Sequence, residues 1–332
     1  MNNREPLLAP GYDLNALLAL AEQVEELGFD AVFVGDSLFS KPRFEALTLL
    51  GALSQRTSRV QLGTSALVAS LRDPLYLALQ WATLDHLSNG RMILGAGAGN
   101  AEPRVKLEFA SLGLEFGKRM SRLEECLHVL KTIWSSGSVT FHGKHFQYDD
   151  VSFYSGTELA PFTAKQGSPP IWVVSNPNIM NPAGEQQVAN ACRRILTYGD
   201  GWLTCCRAGH PEELEQQLEM LVQTASESDI NLDEFDVAYQ VTLTLADTTD
   251  AAHAMQREYI DSYYPELREH VNLVDWGPVG SPDEVTAWFD RFLDAGVTYF
   301  VCRFGAIDQF DQVSRFTQSV LPKFRGAQST VS

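Results

Sequence analysis

The sequence predicts an α/β fold with a parallel sheet, because helical and buried-strand patterns alternate along most of the chain. In the first pattern, apolar residues at helical spacing lie between a capping residue, Asp13, and Gly28. The period then changes, and residues 29–34 form an apolar run broken only by Asp30. A short run of this kind is typical of a strand buried on both faces of a parallel sheet.

The same order of helix, turn and strand recurs along the chain. Paired helices and strands are predicted at 45–57 and 60–68, 74–88 and 92–94, 183–198 and 202–205, and 282–295 and 299–304, with further helices at 118–135, 211–227 and 250–263 and further strands near 170 and 236. Seven strands are clear, and an eighth would have to come from residues 5–10, which carry two prolines. Since no Gly/Ser-rich linker interrupts the chain, we expect one domain over residues 1–332, closed as a (β/α)8 barrel.

Two segments break this rhythm. Residues 138–168 alternate apolar residues with turn formers and predict a hairpin inserted before the strand at 170–174. Residues 259–281 are rich in aromatic and turn residues, and we interpret them as a lid segment. Residues 100–117 are predicted to be a loop.

Composition limits the partners of this protein. Its 42 acidic and 25 basic residues give a formal charge of -17, which disfavours nucleic acids and anionic membranes. No segment has the roughly 18 consecutive apolar residues of a membrane span, and the start resembles no signal peptide, so we expect a cytoplasmic protein. Three of the five cysteines fall in predicted helices or strands, so no disulfide is predicted. No metal site is predicted, since His142 and His145 lack a nearby third ligand.

The most informative stretch runs from Asp73 to Gly99. Asp73 is predicted to cap a helix that begins at Pro74 and ends at Asn89-Gly90. The strand that follows runs into the small residues of the sequence GAGAG, positions 95–99. Small residues at the carboxyl end of a strand allow a flat ligand to approach the backbone closely.

Glycines and serines after strands also occur in two other kinds of site, the dinucleotide-binding fold and the α/β-hydrolase elbow. Glycines after a strand also occur in dinucleotide-binding folds, but the full G-x-G-x-x-G pattern is absent, and the predicted loop at 100–117 follows where a helix should open. An α/β-hydrolase elbow is also excluded, because the stretches GDSLF and GTSAL lack its final glycine.

The stretch DPLYLALQWATLDHLSNGRMILGAGAG resembles the luciferase-like family of flavin-dependent oxidoreductases, whose members use reduced FMN or the deazaflavin F420. Further similar stretches follow in the family order, namely ELGFDAVFVGD, RMSRLEECLHVLKTIW, PPIWVVSNPN, YGDGWLTC, VGSPDEV and AGVTYFVCRF. The resemblance implies a TIM barrel that is commonly a homodimer. In such barrels the active site lies at the carboxyl ends of the strands.

The resemblance implies a cofactor site at several strand ends. A non-prolyl cis peptide behind the flavin ring falls at Ser65-Ala66, where small side chains suit that task. The implied cofactor-binding residues are Ser65, Ala66, Gly97, Gly99, Ser175, Asn176, Thr204 and Arg207, the last four for a phosphate. The candidate catalytic residues are Asp36, Ser37, Asn100 and Arg303. Arg303 emerges from a buried strand, so its charge requires either an internal ion pair or an anionic ligand.

Two positions bear on the cofactor. F420-dependent dehydrogenases of the family usually carry Asp-His after the second strand and a glutamate after the glycines of the fourth. This chain has Asp36-Ser37 and Asn100, with Glu102 two residues on. These departures favour reduced FMN, supplied by a separate flavin reductase, although histidine also has a catalytic role in the luciferases.

The predicted activity is therefore an FMN-dependent monooxygenase that oxidises a small organic substrate with O2. One alternative is F420-dependent hydride transfer on the same fold, and another is a flavin-binding protein without catalysis. The identity of the substrate is left open.

Overall fold

The structure is a computed structural model, and it describes residues 13–153, 164–176, 184–205, 210–263 and 276–325. The helices are α1 (Leu14–Glu26), α2 (Ala46–Arg56), α3 (Pro74–Leu87), α4 (Pro103–Ser111), α5 (Arg119–Ser136), α6 (Glu185–Tyr198), α7 (Pro211–Glu227), α8 (Thr249–Tyr263), α9 (Pro282–Asp294), α10 (Gln309–Ser319) and α11 (Leu321–Arg325). The strands are β1 (Ala31–Val34), β2 (Gln61–Thr64), β3 (Leu67–Val68), β4 (Met92–Gly97), β5 (Ser138–His142), β6 (Gln147–Ser152), β7 (Ile171–Val174), β8 (Gly201–Thr204), β9 (Asp236–Leu245), β10 (Val279–Gly280) and β11 (Tyr299–Phe304).

The chain divides into two compact units. The glycine-strand unit comprises Asp30–Ser175 and Arg193–Trp202, and the Arg303 unit comprises Met1–Phe29, Asn176–Cys192 and Leu203–Ser332. Both units alternate helices with strands, so the predicted α/β class is confirmed.

Parallel strands build the glycine-strand unit. β1 pairs with β2, β2 with β4, and β4 with both β3 and β7, all in parallel. All six residues of β4 are buried, as expected for a strand covered on both faces. The parallel pairing predicted from the buried apolar runs is confirmed.

The Arg303 unit is built around β9, which pairs in parallel with β11 and with the short β10. Aromatic rings of α9 pack on this sheet, with the Trp288 and Phe292 rings 4.2 Å apart and the Tyr239 and Phe292 rings 4.7 Å apart. Helix α9 begins with a capping box between Ser281 and Glu284, which satisfies the first amide groups of the helix.

Several predicted helix ends are confirmed in detail. Asp13 accepts a hydrogen bond from the Ala16 amide, and Asp73 accepts from the amides of Leu75 and Tyr76. The bounds predicted for α7 and β11 agree with the structure at both ends. Local capping chemistry therefore locates the starts of α1 and α3 without tertiary information.

Two predictions about individual segments are wrong. Residues 100–117 contain helix α4 rather than only loop, because Pro103 starts it and Val105, Glu108 and Phe109 form one buried face. The single strand predicted at 60–68 is two strands, because the chain turns between β2 and β3.

The two irregular segments are partly described. The predicted hairpin exists as the antiparallel pair β5 and β6, with an irregular register between Val139 and Phe141. Residues 154–163 of that excursion lie outside the described residues, as do the predicted first strand at 5–10 and residues 264–275 of the predicted lid.

Other sequence expectations concern cysteines, membranes and metals. Cys126, Cys192, Cys205 and Cys302 are free thiols, and burial raises the pKa of Cys126 to about 12 and that of Cys205 to about 11. In the part of the chain that the structure describes, no helix could cross a membrane. Over the same residues, no three His, Cys, Asp or Glu side chains group as metal ligands would.

Arg91 ties the amino-terminal end of β4 to the preceding segments. Its Nε donates to the Ser88 carbonyl at 2.6 Å, and its Nη1 donates to the Val60 carbonyl at 2.5 Å and to the Thr57 hydroxyl at 3.0 Å. Its Nη2 donates to the carbonyls of Thr57 and Ser54. The planar guanidinium thus satisfies several backbone acceptors that a lysine has too few donors to reach.

We expect Arg91→Lys to lower the free energy of unfolding by about 2 kcal/mol, because it leaves backbone carbonyls unpaired. Urea denaturation followed by circular dichroism measures this change. The matched control is Arg257→Lys on the exposed face of α8, which should change stability by less than about 0.5 kcal/mol. Equal stabilities of the two variants would contradict the role given to Arg91.

Candidate functional site

Small residues at the carboxyl ends of β2 and β4 form the centre of the candidate site in the glycine-strand unit. The peptide bond between Ser65 and Ala66 is cis, as the family resemblance implies. A Cβ atom added at Gly97 would lie 3.4 Å from the Ala66 Cβ and 3.6 Å from the Val174 Cβ. The missing side chain of Gly97 therefore leaves a space beside Ala66, which suits close approach of a flat ring.

Hydroxyl groups fasten the strands around this space. The Thr64 hydroxyl donates to the Gly95 carbonyl at 2.9 Å, and the Ser70 hydroxyl donates to the Ala98 carbonyl at 2.9 Å. Both hydroxyls are buried and lie on the segments before and after the cis peptide. They hold the backbone of the small-residue strand against its neighbours.

Asp36 lies at the carboxyl end of β1, with its side chain only 4% exposed. Its Oδ2 accepts from Arg72 Nη1 at 2.7 Å and from the Val68 amide at 2.9 Å, and its Oδ1 accepts from Arg72 Nη2 at 2.9 Å. Burial alone would lower the pKa of Arg72, but the attraction of Asp36 and Glu45 outweighs it and raises the pKa. The Asp36 carboxylate thus holds β3 and the segment that follows it.

Ser37 and Asn100 make local contacts. The Ser37 hydroxyl donates to the Lys41 carbonyl at 2.6 Å and closes a tight loop. The Asn100 Oδ1 accepts from the Glu102 amide at 3.3 Å, and its Nδ2 donates to the Glu102 carboxylate at 3.0 Å, just before α4. Both side chains therefore stabilise the turns in which they lie.

Gly99 allows α4 to pack closely behind the site. Its φ of +83° lies in the left-handed region, and an added Cβ would lie 3.2 Å from Val68 and Val105 and 3.3 Å from Phe109. The structure therefore gives Gly99 a packing role behind the strand, whereas Gly97 lies against Ala66 and Val174.

Asn176 binds the carboxyl end of β8 within the Arg303 unit. Its Oδ1 accepts from the Thr204 hydroxyl at 3.0 Å and from the Cys205 amide at 2.7 Å. In the glycine-strand unit, the Ser175 carbonyl accepts from the Trp202 indole at 3.0 Å. Arg207, the fourth residue implied for a phosphate, lies outside the described residues.

Arg303 lies on β11 beside β9 in the same unit. Its Nε donates to the Thr242 hydroxyl at 2.8 Å, and its guanidinium lies 5.4 Å from the centre of the Trp276 ring. From the sequence, two partners were possible for this charge, an internal ion pair and an anionic ligand. The structure adds a hydroxyl and an aromatic face, which also stabilise a guanidinium.

Arg72 and Glu108 were missed as site-forming residues. Arg72 directly precedes the helix cap Asp73, where it is easily taken for a solvent-exposed charge. Glu108 is fully buried between apolar positions of α4. A charged residue on the apolar face of a helix indicates a buried partner, and this signal becomes readable once residues 103–111 are assigned as a helix.

Comparison with known proteins identifies the family. The model of the family described as luciferase-like monooxygenase matches residues 1–299. An F420-dependent glucose-6-phosphate dehydrogenase of Amycolatopsis mediterranei is 28% identical to this chain, over 96% of this chain and 99% of its own length.

Solved structures share the fold. An F420-dependent secondary alcohol dehydrogenase in complex with an F420-acetone adduct has a TM-score of 0.73 and 22% identity, over 93% of this chain and 94% of its own. The oxygenating constituent of 3,6-diketocamphane monooxygenase from Pseudomonas putida, in complex with FMN, has a TM-score of 0.73 and 20% identity, over 96% of both chains.

The Asp36 and Arg72 pair predicts energetic coupling. In a double-mutant cycle with Asp36→Asn and Arg72→Gln, we expect a coupling energy of about 2 kcal/mol, because each single change leaves a largely buried polar partner behind. The free energies of unfolding of the four proteins, measured in urea, give this quantity. Purely additive effects would mean that the contact contributes no more than an exposed pair.

Proposed function

This chain belongs to the luciferase-like monooxygenase family, and we propose that it is an F420-dependent oxidoreductase that transfers a hydride between F420 and a small organic substrate. The observation that carries the proposal is the similarity over nearly the full chain to F420-dependent glucose-6-phosphate dehydrogenases. The chain is an enzyme of the oxidoreductase kind that this family contains.

The sequence favoured FMN over F420, and this proposal reverses that preference. The preference for FMN rested on Ser37 and Asn100 in place of a histidine and a glutamate. In the structure Ser37 closes a loop with Lys41, and Asn100 forms a turn with Glu102. Because both side chains form hydrogen bonds within their own turns, their identities indicate the cofactor less strongly than the similarity of the whole chain does.

The residues of the glycine-strand unit fit a flat deazaflavin ring. Gly97 leaves the space that a Cβ would fill, and the Ala66 methyl group borders that space. When bound, F420 supplies a ring carbon that accepts or donates a hydride. We propose that Ser65, Ala66 and Gly97 place the ring, and that Ser175, Asn176, Thr204 and Arg207 serve the cofactor phosphate.

The roles of the polar residues follow from their contacts. Asp36 keeps the cis-peptide segment in position through Arg72 and the Val68 amide, so we propose a positioning role for it. Arg303 contacts Thr242 and Trp276, and we propose that it orients an anionic group. We further propose that the whole chain forms one domain closed as a (β/α)8 barrel.

A second candidate function is an FMN-dependent monooxygenase, with reduced FMN from a separate reductase and O2 as co-substrate. The observation in its favour is that the described side chains around Gly97 are apolar or uncharged, which suits a reaction that must exclude water. Binding of a flavin without catalysis is the third alternative.

We also propose a homodimer that forms through α3. Three apolar side chains lie on its outer face, with Tyr76 73% exposed, Leu79 42% and Leu87 47%. Gln80 and Thr83 on the same face are uncharged. In a chain with a formal charge of -17, an uncharged apolar face is where two copies meet with the least repulsion.

The cofactor proposal predicts selective binding. Fluorescence titration of the purified protein should give a dissociation constant for oxidised F420 at least tenfold below that for oxidised or reduced FMN. Gly97→Val should weaken F420 binding by about tenfold or more, because its side chain enters the space beside Ala66. Gly117→Ala is the matched control, since an added Cβ there meets nothing within 4 Å.

Tight binding of reduced FMN with no binding of F420 would overturn the proposal in favour of the monooxygenase. Equal F420 affinities of Gly97→Val and wild-type protein would place the ring elsewhere.

The dimer proposal predicts that Leu79→Glu weakens self-association. Light scattering after size-exclusion chromatography should give a dimer mass for the wild type and a monomer mass for Leu79→Glu at micromolar concentration, because a carboxylate would be buried at the interface. Leu107→Glu, which changes an exposed leucine of α4, should stay dimeric. A monomeric wild type would contradict the proposal.

A further inference from the structure

Glu108 is a fully buried carboxylate that lies on α4 between apolar positions. Its Oε1 accepts from the Phe39 amide at 2.7 Å and from the Ser40 amide at 2.5 Å. Its Oε2 is buried and has no hydrogen-bond partner among the described residues. A carboxylate that leaves one oxygen unpaired costs stability, so its presence indicates a constraint other than stability.

The peptide between Phe39 and Ser40 is bound from both sides by the same helix. Glu108 accepts from its N–H group, and Arg104, one turn earlier on α4, donates from Nη2 to its carbonyl at 3.0 Å. Residues four apart lie on one side of a helix, so both side chains reach a single peptide unit. This arrangement fixes the orientation of the short segment 37–41, which contains no helix or strand.

The segment 37–41 lies where a site residue is expected. It follows β1 after Gly35 and Asp36, and α4 follows the glycines of β4 and packs on Gly99. Parallel strands β1, β2 and β4 end at one edge of their sheet, so the segment and the space beside Gly97 belong to the same edge. Leu38 on this segment is 54% exposed, although leucine side chains are favoured in the interior.

We propose that Glu108 is a positioning residue that holds segment 37–41, and that Leu38 on this segment contacts an apolar part of the substrate. The inference rests on the proposed F420-dependent function for its substrate. It names a substrate with an apolar chain as the class that Leu38 recognises, because a leucine offers contact area but no hydrogen bond.

Hydrogen exchange tests the first half of the proposal without any ligand. In Glu108→Ala, exchange at the Phe39 and Ser40 amides should rise by about tenfold or more, while the amides of β4 keep their protection. Glu108→Gln should stay within about threefold of wild type, because its side-chain carbonyl still accepts from both amides. Glu115→Ala, which removes an exposed acidic residue paired with Lys118, is the control.

If Glu108→Ala does not fold, Arg104→Ala carries the test. Arg104 is exposed, and its loss removes the hydrogen bond on the other side of the same peptide, so exchange at Ser40 should still rise by about threefold. Unchanged exchange in both variants would overturn the role of Glu108.

Kinetics with defined probes test the second half. With F420 as acceptor and 2-propanol, 2-butanol and 2-hexanol as substrates, Leu38→Ala should raise KM for 2-hexanol about fivefold, and KM for 2-propanol less than twofold. Glu108→Ala should raise KM for 2-hexanol in the same way with kcat unchanged, and Glu108→Gln should restore it. Leu107→Ala removes an equally exposed leucine from α4 and should change neither constant.

Failures of the two proposals are distinguishable. Turnover of glucose 6-phosphate but of no alcohol would overturn the Leu38 contact while supporting the cofactor. No turnover of any probe with F420 would overturn the Leu38 contact, while the titration with F420 and FMN decides the proposed cofactor separately. The exchange measurement then still decides whether Glu108 holds the segment.

Discussion

Close packing around β4 is the constraint on which the glycine-strand unit depends. Three strands, β2, β3 and β7, pair with this single strand, and all six of its residues are buried. Interiors packed at this density leave no slack for larger side chains. The small residues after Leu94 therefore have two effects. On one side of β4 they allow neighbouring segments to pack closely, and on the other side they leave the space beside Ala66.

Polar side chains at the strand ends form hydrogen bonds with the backbone of neighbouring segments. Asp36 binds the Val68 amide and Arg72, Ser37 binds the Lys41 carbonyl, and Asn176 binds the Cys205 amide. Turns at the edge of a parallel sheet expose amides and carbonyls that need partners. A polar residue at such a position is therefore explained by its turn as readily as by a reaction, which limits what its identity reveals about the cofactor.

The sequence predictions are most accurate for features that depend on interactions between residues close together in the chain. Helices with a local cap, such as α1 at Asp13 and α3 at Asp73, were predicted to within about one or two residues of their observed ends. Helix α4 was missed because the side chain of Glu102 makes no capping bond and a charged residue, Glu108, interrupts its apolar face. The cis peptide at Ser65-Ala66 was predicted only by resemblance to a family, and the break between β2 and β3 at this place was not predicted, since neither residue marks a turn by itself.

The sequence by itself determined the alternation of helices and strands, the parallel pairing, the family and the small-residue strand that borders the candidate site. The family was recognised by resemblance, whereas the other three follow from periodicity, caps and side-chain size, which act between residues close together in the chain. Only the tertiary structure decided which charges meet. Arg72 binds Asp36, which is 36 positions away in the chain, and Glu108 accepts from the Phe39 amide, which is 69 positions away. Such contacts depend on where separate segments lie in space, and no local pattern encodes that distance.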